Sequence, residues 1–162
     1  MKVLVNITKI FFIIIFFFNN YAKAAVKNEI IVNVGNQIIT SYELKNKIRT
    51  YLFLGGIELN QENINKNKNL ALKSLINYKI KKAEVSRYNL NKNRESLDNH
   101  LERLSSKYKT NVKGLIKIFN DNELDFEMYS NEIETEYLWQ NLIFSLFGKK
   151  IIIDEKEIIE EL

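Results

Sequence analysis

One histidine, no cysteine and three closely spaced glutamates are what this 162-residue chain offers for bond-making chemistry. Acid–base work near neutral pH needs a group that titrates there, and His100 is the one side chain of that type. It lies beside Leu101 on a helix-forming stretch, with no serine or cysteine nucleophile at a spacing that would pair with it, and it reads as a solvated side chain. A zinc site of ordinary kind draws on several His or Cys ligands, and one histidine cannot supply them. The sequence has no G-x-S-x-G turn and no glycine-rich loop that would cradle phosphate. Glu132, Glu134 and Glu136 alternate along a helical segment, where neighbours two apart point to different faces, so they read as solvated polar positions. The inventory predicts no catalytic residue, no metal and no cofactor.

What the sequence has instead is apolar surface. Over Phe126 to Phe147, the residues Phe126, Tyr129, Ile133, Tyr137, Phe144 and Phe147 form one stripe. Trp139, Leu142, Ile143 and Leu146 cover the other side, so the segment from Tyr137 to Phe147 is apolar almost all round. Such a helix is buried from both sides by its own domain or presents a face to something else. Trp139 therefore has two competing roles, core residue or crevice residue. A second apolar stretch, Phe53-Leu54-Gly55-Gly56-Ile57, reads first as a helix C-cap with a hydrophobic contact across it.

The first 24 residues read as an export signal. Lys2 and Lys9 precede nine unbroken apolar residues, Ile10 to Phe18, and Ala22-Lys23-Ala24 has the small-x-small form that signal peptidase cuts, here after Ala24. Nine residues make about 14 Å of helix against a hydrocarbon core of about 30 Å, too short for a span. Loss of Lys2, Lys9 and Lys23 takes the formal charge from +4 to +1. A nearly neutral chain with interspersed charges lacks the electrostatic footprint of a nucleic-acid binder, and that class is dropped. The absence of cysteine means an exported protein that holds together without disulfides. With no proline and few glycines, long helices are favoured over an all-β fold.

The elements follow from local signals. Gly35-Asn36 between the β-branched runs Ile30 to Val34 and Ile38-Ile39 predicts a short hairpin. Thr40 and Glu43 have capping-box spacing and open a first helix, Ser41 to Leu54, with Leu44, Ile48, Tyr51 and Leu52 on one face. Asn60 caps a second, 61 to 88, whose polar first half is exposed or frayed and whose second half carries Leu72, Leu75, Ile76, Ile80 and Ala83 inward. A third spans 93 to 108 with Leu97, Leu101, Leu104 and Tyr108. Thr110 caps a fourth holding Val112, Leu115, Ile116 and Phe119. Asp125 caps the fifth, which Gly148 stops. Ile151 to Ile153 read as a short strand expected to pair or pack with the hairpin, and Asp154 with Glu157 opens a last helix. The fold class is mainly α: a helical domain of five to six helices over residues 25–162, with a small N-terminal β-hairpin and a short C-terminal strand.

This ordered set resembles the N-terminal domain of SurA-type periplasmic chaperones. The family opens with a strand, a one-turn reversal, a second strand, a Ser/Thr and a helix, as Asn28 to Ile48 (NEIIVNVGNQIITSYELKNKI) does. Ser74 to Ile80 (SLINYKI) stands where the family has its "L-I-x-x-x-I/L" segment, and Thr110 to Leu115 matches its second helix–helix joint. Phe126 to Ile133 matches "Y-x-x-Y-R-x-x-I", with Phe for the first Tyr and no Arg after the second. Ile151 to Ile158 matches the strand and "E-V/I" by which the family leaves the domain. No one of these motifs is specific; their order is.

The resemblance implies an ATP-independent chaperone of the periplasm that holds unfolded outer-membrane proteins in an apolar crevice and assists their assembly. The crevice would be lined by Met128, Tyr129, Trp139, Leu142, Ile143, Leu146 and Phe147. The family also packs a C-terminal segment here, so a further segment or a second subunit is an expected cover for the fifth helix. No stable membrane insertion is expected once the signal is cut. Many relatives carry parvulin-type prolyl isomerase domains with a pair of buried histidines; one histidine does not provide them, and isomerase activity is not expected of these residues. Two other readings stand beside the chaperone. One is a helical adaptor for a single folded partner, and the other is the N-terminal part of an isomerase whose parvulin domain lies elsewhere.

Overall fold

The computed structural model describes residues 28–88, 90 and 94–148. The export signal, its cleavage point, the strand at Ile151 to Ile153 and the helix opened by Asp154 lie outside the described residues. What is described is mainly helical with an N-terminal two-stranded hairpin. Strands β1 (Ile30–Val34) and β2 (Gln37–Thr40) are followed by helices α1 (Ser41–Leu54), α2 (Gln61–Val85), α3 (Arg94–Lys107), α4 (Val112–Asp121) and α5 (Phe126–Phe147).

The hairpin is antiparallel, with Val34 opposite Gln37 and Val32 opposite Ile39, and it turns at Gly35, whose φ of 57° is the positive value the turn needs. The register slips between Ile30 and Val32. Ordinary alternation puts Val32 and Val34 on the face that packs toward Ile39 and turns Ile31 outward, and Ile30, beyond the irregularity, is exposed, as is Ile38. Thr40 closes β2 and opens α1 at once. Its hydroxyl accepts from the Glu43 amide at 3.3 Å, and its own amide donates to the Glu43 carboxylate at 2.8 Å. Burial disfavours the Glu43 charge, but the Lys79 ammonium at 2.6 Å and the Thr40 bonds outweigh it and hold the carboxyl below its ordinary range. One glutamate thus caps α1 and ties it to α2.

Helix α2 ends at Val85, three residues before the expected Tyr88, and Ser86 to Tyr88 turn back through bonds to Lys82, Glu84 and Val85. Its polar first half is helical and exposed. Its buried positions are Ala71, Leu75 and Val85, flanked by Leu72 and Ile76, whereas Ile80 and Ala83 of the expected inner face are exposed. The reason is that α2 serves two neighbours: Ala71 and Leu75 meet α1 and the hairpin, and Val85 meets α5. Similarly, Tyr51 of the expected α1 face points outward, and Asn46 and Thr50 are buried.

Three helices end alike. In α1 the Ile57 amide donates to the Leu52 carbonyl at 2.8 Å and the Gly56 amide to Phe53 at 3.1 Å, a Schellman ending with Gly56 at φ 65°. In α3 the Thr110 amide reaches Ser105 and the Lys109 amide reaches Ser106; in α4 Leu124 reaches Phe119 and Glu123 reaches Asn120. There the left-handed position falls to Lys109 (φ 53°) and Glu123 (φ 54°). Because Thr110 is absorbed into the end of α3, the cap of α4 is Asn111 rather than Thr110, and its side chain accepts from the Gly114 amide at 2.9 Å.

Apolar side chains gather in three places. Ile39, Leu44, Ile48, Leu52, Ala71 and Leu75 join the hairpin to α1 and α2. Leu115, Phe119 and Leu124 are wrapped by side chains of α1, α3 and α5. Val85, Leu138 and Leu142, with Leu90 and Trp139 against them, hold α2 to α5. No helix among the described residues is long and apolar enough to cross a membrane.

The shared helix ending makes a paired prediction. A Cβ at Gly56 would touch nothing within 4 Å, so Gly56→Ala pays backbone strain alone, about 1–2 kcal/mol. Lys109→Gly relieves the same strain and, after the entropy that glycine adds to the unfolded chain, gains roughly 0.5–1 kcal/mol. Urea denaturation of the two variants should move the midpoint in opposite directions.

Candidate functional site

The start of α5 is fixed by a polar seam along α1. Asp125 caps α5, its carboxylate accepting from the Met128 amide at 3.0 Å. The Asp125 amide donates to the Asn46 side-chain carbonyl at 2.8 Å, and the Tyr42 hydroxyl donates to the other Asp125 oxygen at 3.1 Å. Burial and the Asp125 charge raise the Tyr42 phenol above its ordinary range. One turn on, Arg49 reaches the Glu123 carboxylate at 2.8 Å and the Asn122 carbonyl at 3.0 Å. Lys47 pairs with Glu132 and Lys81 of α2 pairs with Glu136, so α5 is gripped from both sides. These last two pairs correct the reading of the glutamates as solvated. Glu132 and Glu136 are one turn apart on the same face, and each meets a lysine from a different helix.

His100 also departs from expectation. It is half-buried between α3 and α5, its Nε2 2.7 Å from the Tyr129 hydroxyl, with the Tyr137 ring edge-on at 6.3 Å. Burial, and then the Arg103 guanidinium, lower the imidazole below its ordinary value. Tyr129 is pushed up to about 12, chiefly by burial and further by Tyr108, Tyr137 and Glu132. Behind it the rings of Phe119 and Phe126 pack, Phe119 lying 5.3 Å from both Tyr129 and Phe126. Phe53 joins them, stacked on Tyr108 at 5.6 Å, so the Phe53 to Ile57 stretch is a helix cap whose aromatic end lies in the core.

The seven residues expected to line one crevice are not brought together. Met128 and Phe147 are nineteen residues apart, about 28 Å along a helix. Met128, whose sulfur meets the Asn46 amide, and Tyr129 lie in the packed N-terminal half. Leu142 is 1% exposed and belongs to the core with Val85 and Leu138. Trp139 is half-buried against that core, with the Lys81 ammonium 5.9 Å from its ring centre. Ile143, Leu146 and Phe147 are exposed, and so is Phe144, at 77%. Leu142 is the last buried residue of α5, and every residue from Ile143 to Phe147 is exposed.

Two grooves flank α5. One, of about 680 Å³, is lined by Tyr42, Lys45, Asn46, Arg49 and Leu124 at the junction of α1 with the α4–α5 turn. The other, of about 400 Å³, lies between α2 and α5 beside Leu70, Tyr78, Lys81 and Glu136. Neither was visible in the sequence, since each exists only where separate helices meet. No group of three His, Cys, Asp or Glu among the described residues could hold a metal. No protein-family model matches this chain, and no curated protein is significantly similar to it.

Asn46 is the testable joint of this arrangement. Asn46→Ala leaves the Asp125 amide without its acceptor in a part-buried setting and should cost about 1–3 kcal/mol, read by thermal unfolding. Asn46→Asp keeps an acceptor and should cost less. Equal losses for the two would show that an acceptor for the Asp125 amide is not what matters at this position.

Proposed function

We propose that this chain is an ATP-independent periplasmic chaperone module that binds unfolded outer-membrane proteins, with the end of α5 as its contact surface. One observation carries the reading. The helix runs past its last buried residue, Leu142, and presents Ile143, Phe144, Leu146 and Phe147 to solvent. Exposed aromatic and aliphatic groups concentrated on one helix end are costly to leave in water and mark an interaction surface. The described elements also follow the order that the sequence resemblance implies: hairpin, capped helix, long helix, helix pair, long helix.

A surface of this kind suits a client that is held and released. Apolar contact is non-directional, so it accepts many sequences, and each buried Å² contributes only about 25 cal/mol. After the cost of ordering a flexible chain, what remains is weak binding, which lets a client leave when its own folding buries the same groups. Half-buried Trp139, one turn before the exposed end, places an indole where a bound aromatic segment would change its surroundings.

Light scattering from a denatured outer-membrane β-barrel tests the proposal. The chain from Ala25 onward should suppress aggregation, and an aromatic-rich peptide should shift the Trp139 emission. Phe144→Ser with Phe147→Ser should weaken suppression severalfold while moving the melting temperature little, because both side chains are already exposed. No suppression by the wild-type chain rejects the chaperone reading and leaves the adaptor. Equal suppression by the double variant rejects the surface.

A further inference from the structure

We propose that the contact between His100 and Tyr129 is an acid-sensitive clasp, which locks α3 onto α5 at neutral pH and loosens when the imidazole is protonated. The proposal does not depend on what the chain binds.

Two helices distant in sequence meet here through one hydrogen bond. His100 is on the second turn of α3, and its Nε2 lies 2.7 Å from the Tyr129 hydroxyl on α5. The clasp takes the neutral tautomer that carries its proton on Nδ1, in which Nε2 accepts from the Tyr129 hydroxyl, which keeps its proton at neutral pH. Protonating the ring turns Nε2 into a donor. The phenol must then reverse and accept, and a positive charge is placed in a half-buried, mostly aromatic site.

The groups around the ring do little to offset that charge. On α3 the charged group acting on it is the Arg103 guanidinium, of the same sign. From α5 come the Tyr129 and Tyr137 rings. Glu132, which acts on Tyr129, is itself paired with Lys47 of α1, and Tyr108 at the end of α3 also raises the Tyr129 phenol. From α4 the aromatic cluster presents Phe119. The sign of the effect follows. The imidazole is held below its unfolded value, so the stability it contributes is present above about 6.5 and is lost as pH falls from there through the folded value.

His100 is the chain's only histidine, so its imidazole resonances titrate without overlap. In the full mature chain, the ring should titrate below a free histidine, and amide exchange in α3, corrected for intrinsic rates, should speed up severalfold between pH 7.5 and 5.5. Exchange in α1 should change much less. In Tyr129→Phe the ring loses its donor and should titrate higher than in the wild type. In His100→Phe the acid acceleration in α3 should vanish. A wild-type ring that titrates like free histidine, or α3 exchange that is independent of pH, overturns the clasp without reference to any variant. So does a Tyr129→Phe ring that titrates at the wild-type position.

Discussion

The buried amide of Asn46 is the constraint on which the rest of the arrangement depends. It stands in the middle of α1, 7% exposed, where a polar group without partners would be costly. It is satisfied at both ends: its oxygen takes the Asp125 amide and its nitrogen reaches the Met128 sulfur. Asp125 is thereby fixed in the extended conformation a cap requires, and its carboxylate is free to take the Met128 amide. The position and direction of α5 are set at its first residue by a side chain eighty positions earlier. Tyr42, Lys47 and Arg49 on the same helix then add bonds to Asp125, Glu132 and Glu123, which fix the rotation of α5 about its axis.

Such a seam gives direction more than energy. Lys47 and Glu132 are each less than a quarter exposed, so their attraction is screened less than a surface pair's but is offset by lost hydration. Lys66–Glu62 and Lys117–Asp121, open to solvent within single helices, contribute little. Cohesion comes from the three apolar groups, and the polar seam decides how they are placed relative to one another. Thr50 shows the opposite case. Its hydroxyl is buried with no hydrogen-bond partner among the described residues, which costs stability.

What was legible in the sequence was what is local. Thr40 with Glu43, Asn60 and Asp125 are caps because the amides they satisfy lie two or three residues away, and the starts of α1, α2 and α5 are legible to the residue. The hairpin was legible for the same reason, through Gly35. The cap of α4 was misread because Thr110 and Asn111 are both capping residues. The choice between them was made by α3, whose final turn claims the Thr110 amide. His100, Glu132 and Glu136 were misread for a different reason. Each looks solvated on its own helix and acquires its partner from another, and no spacing along one chain segment encodes that.

The exposed end of α5 has a geometric origin. A helix stays covered only as far as its neighbours run beside it. Helix α2 stops at Val85, and that residue packs on Leu138 and Leu142. Beyond Leu142, α5 continues for five residues, about 7.5 Å, all of them exposed. The sequence does not become polar where the cover ends. Ile143, Phe144, Leu146 and Phe147 extend the apolar pattern past the point where folding of the described body requires it. Residues that stabilise a fold are expected where neighbours bury them, and polar ones where water does. Four large apolar side chains in the second setting are unaccounted for by the packing of α2 on α5, and that excess is the observation behind the contact surface proposed above.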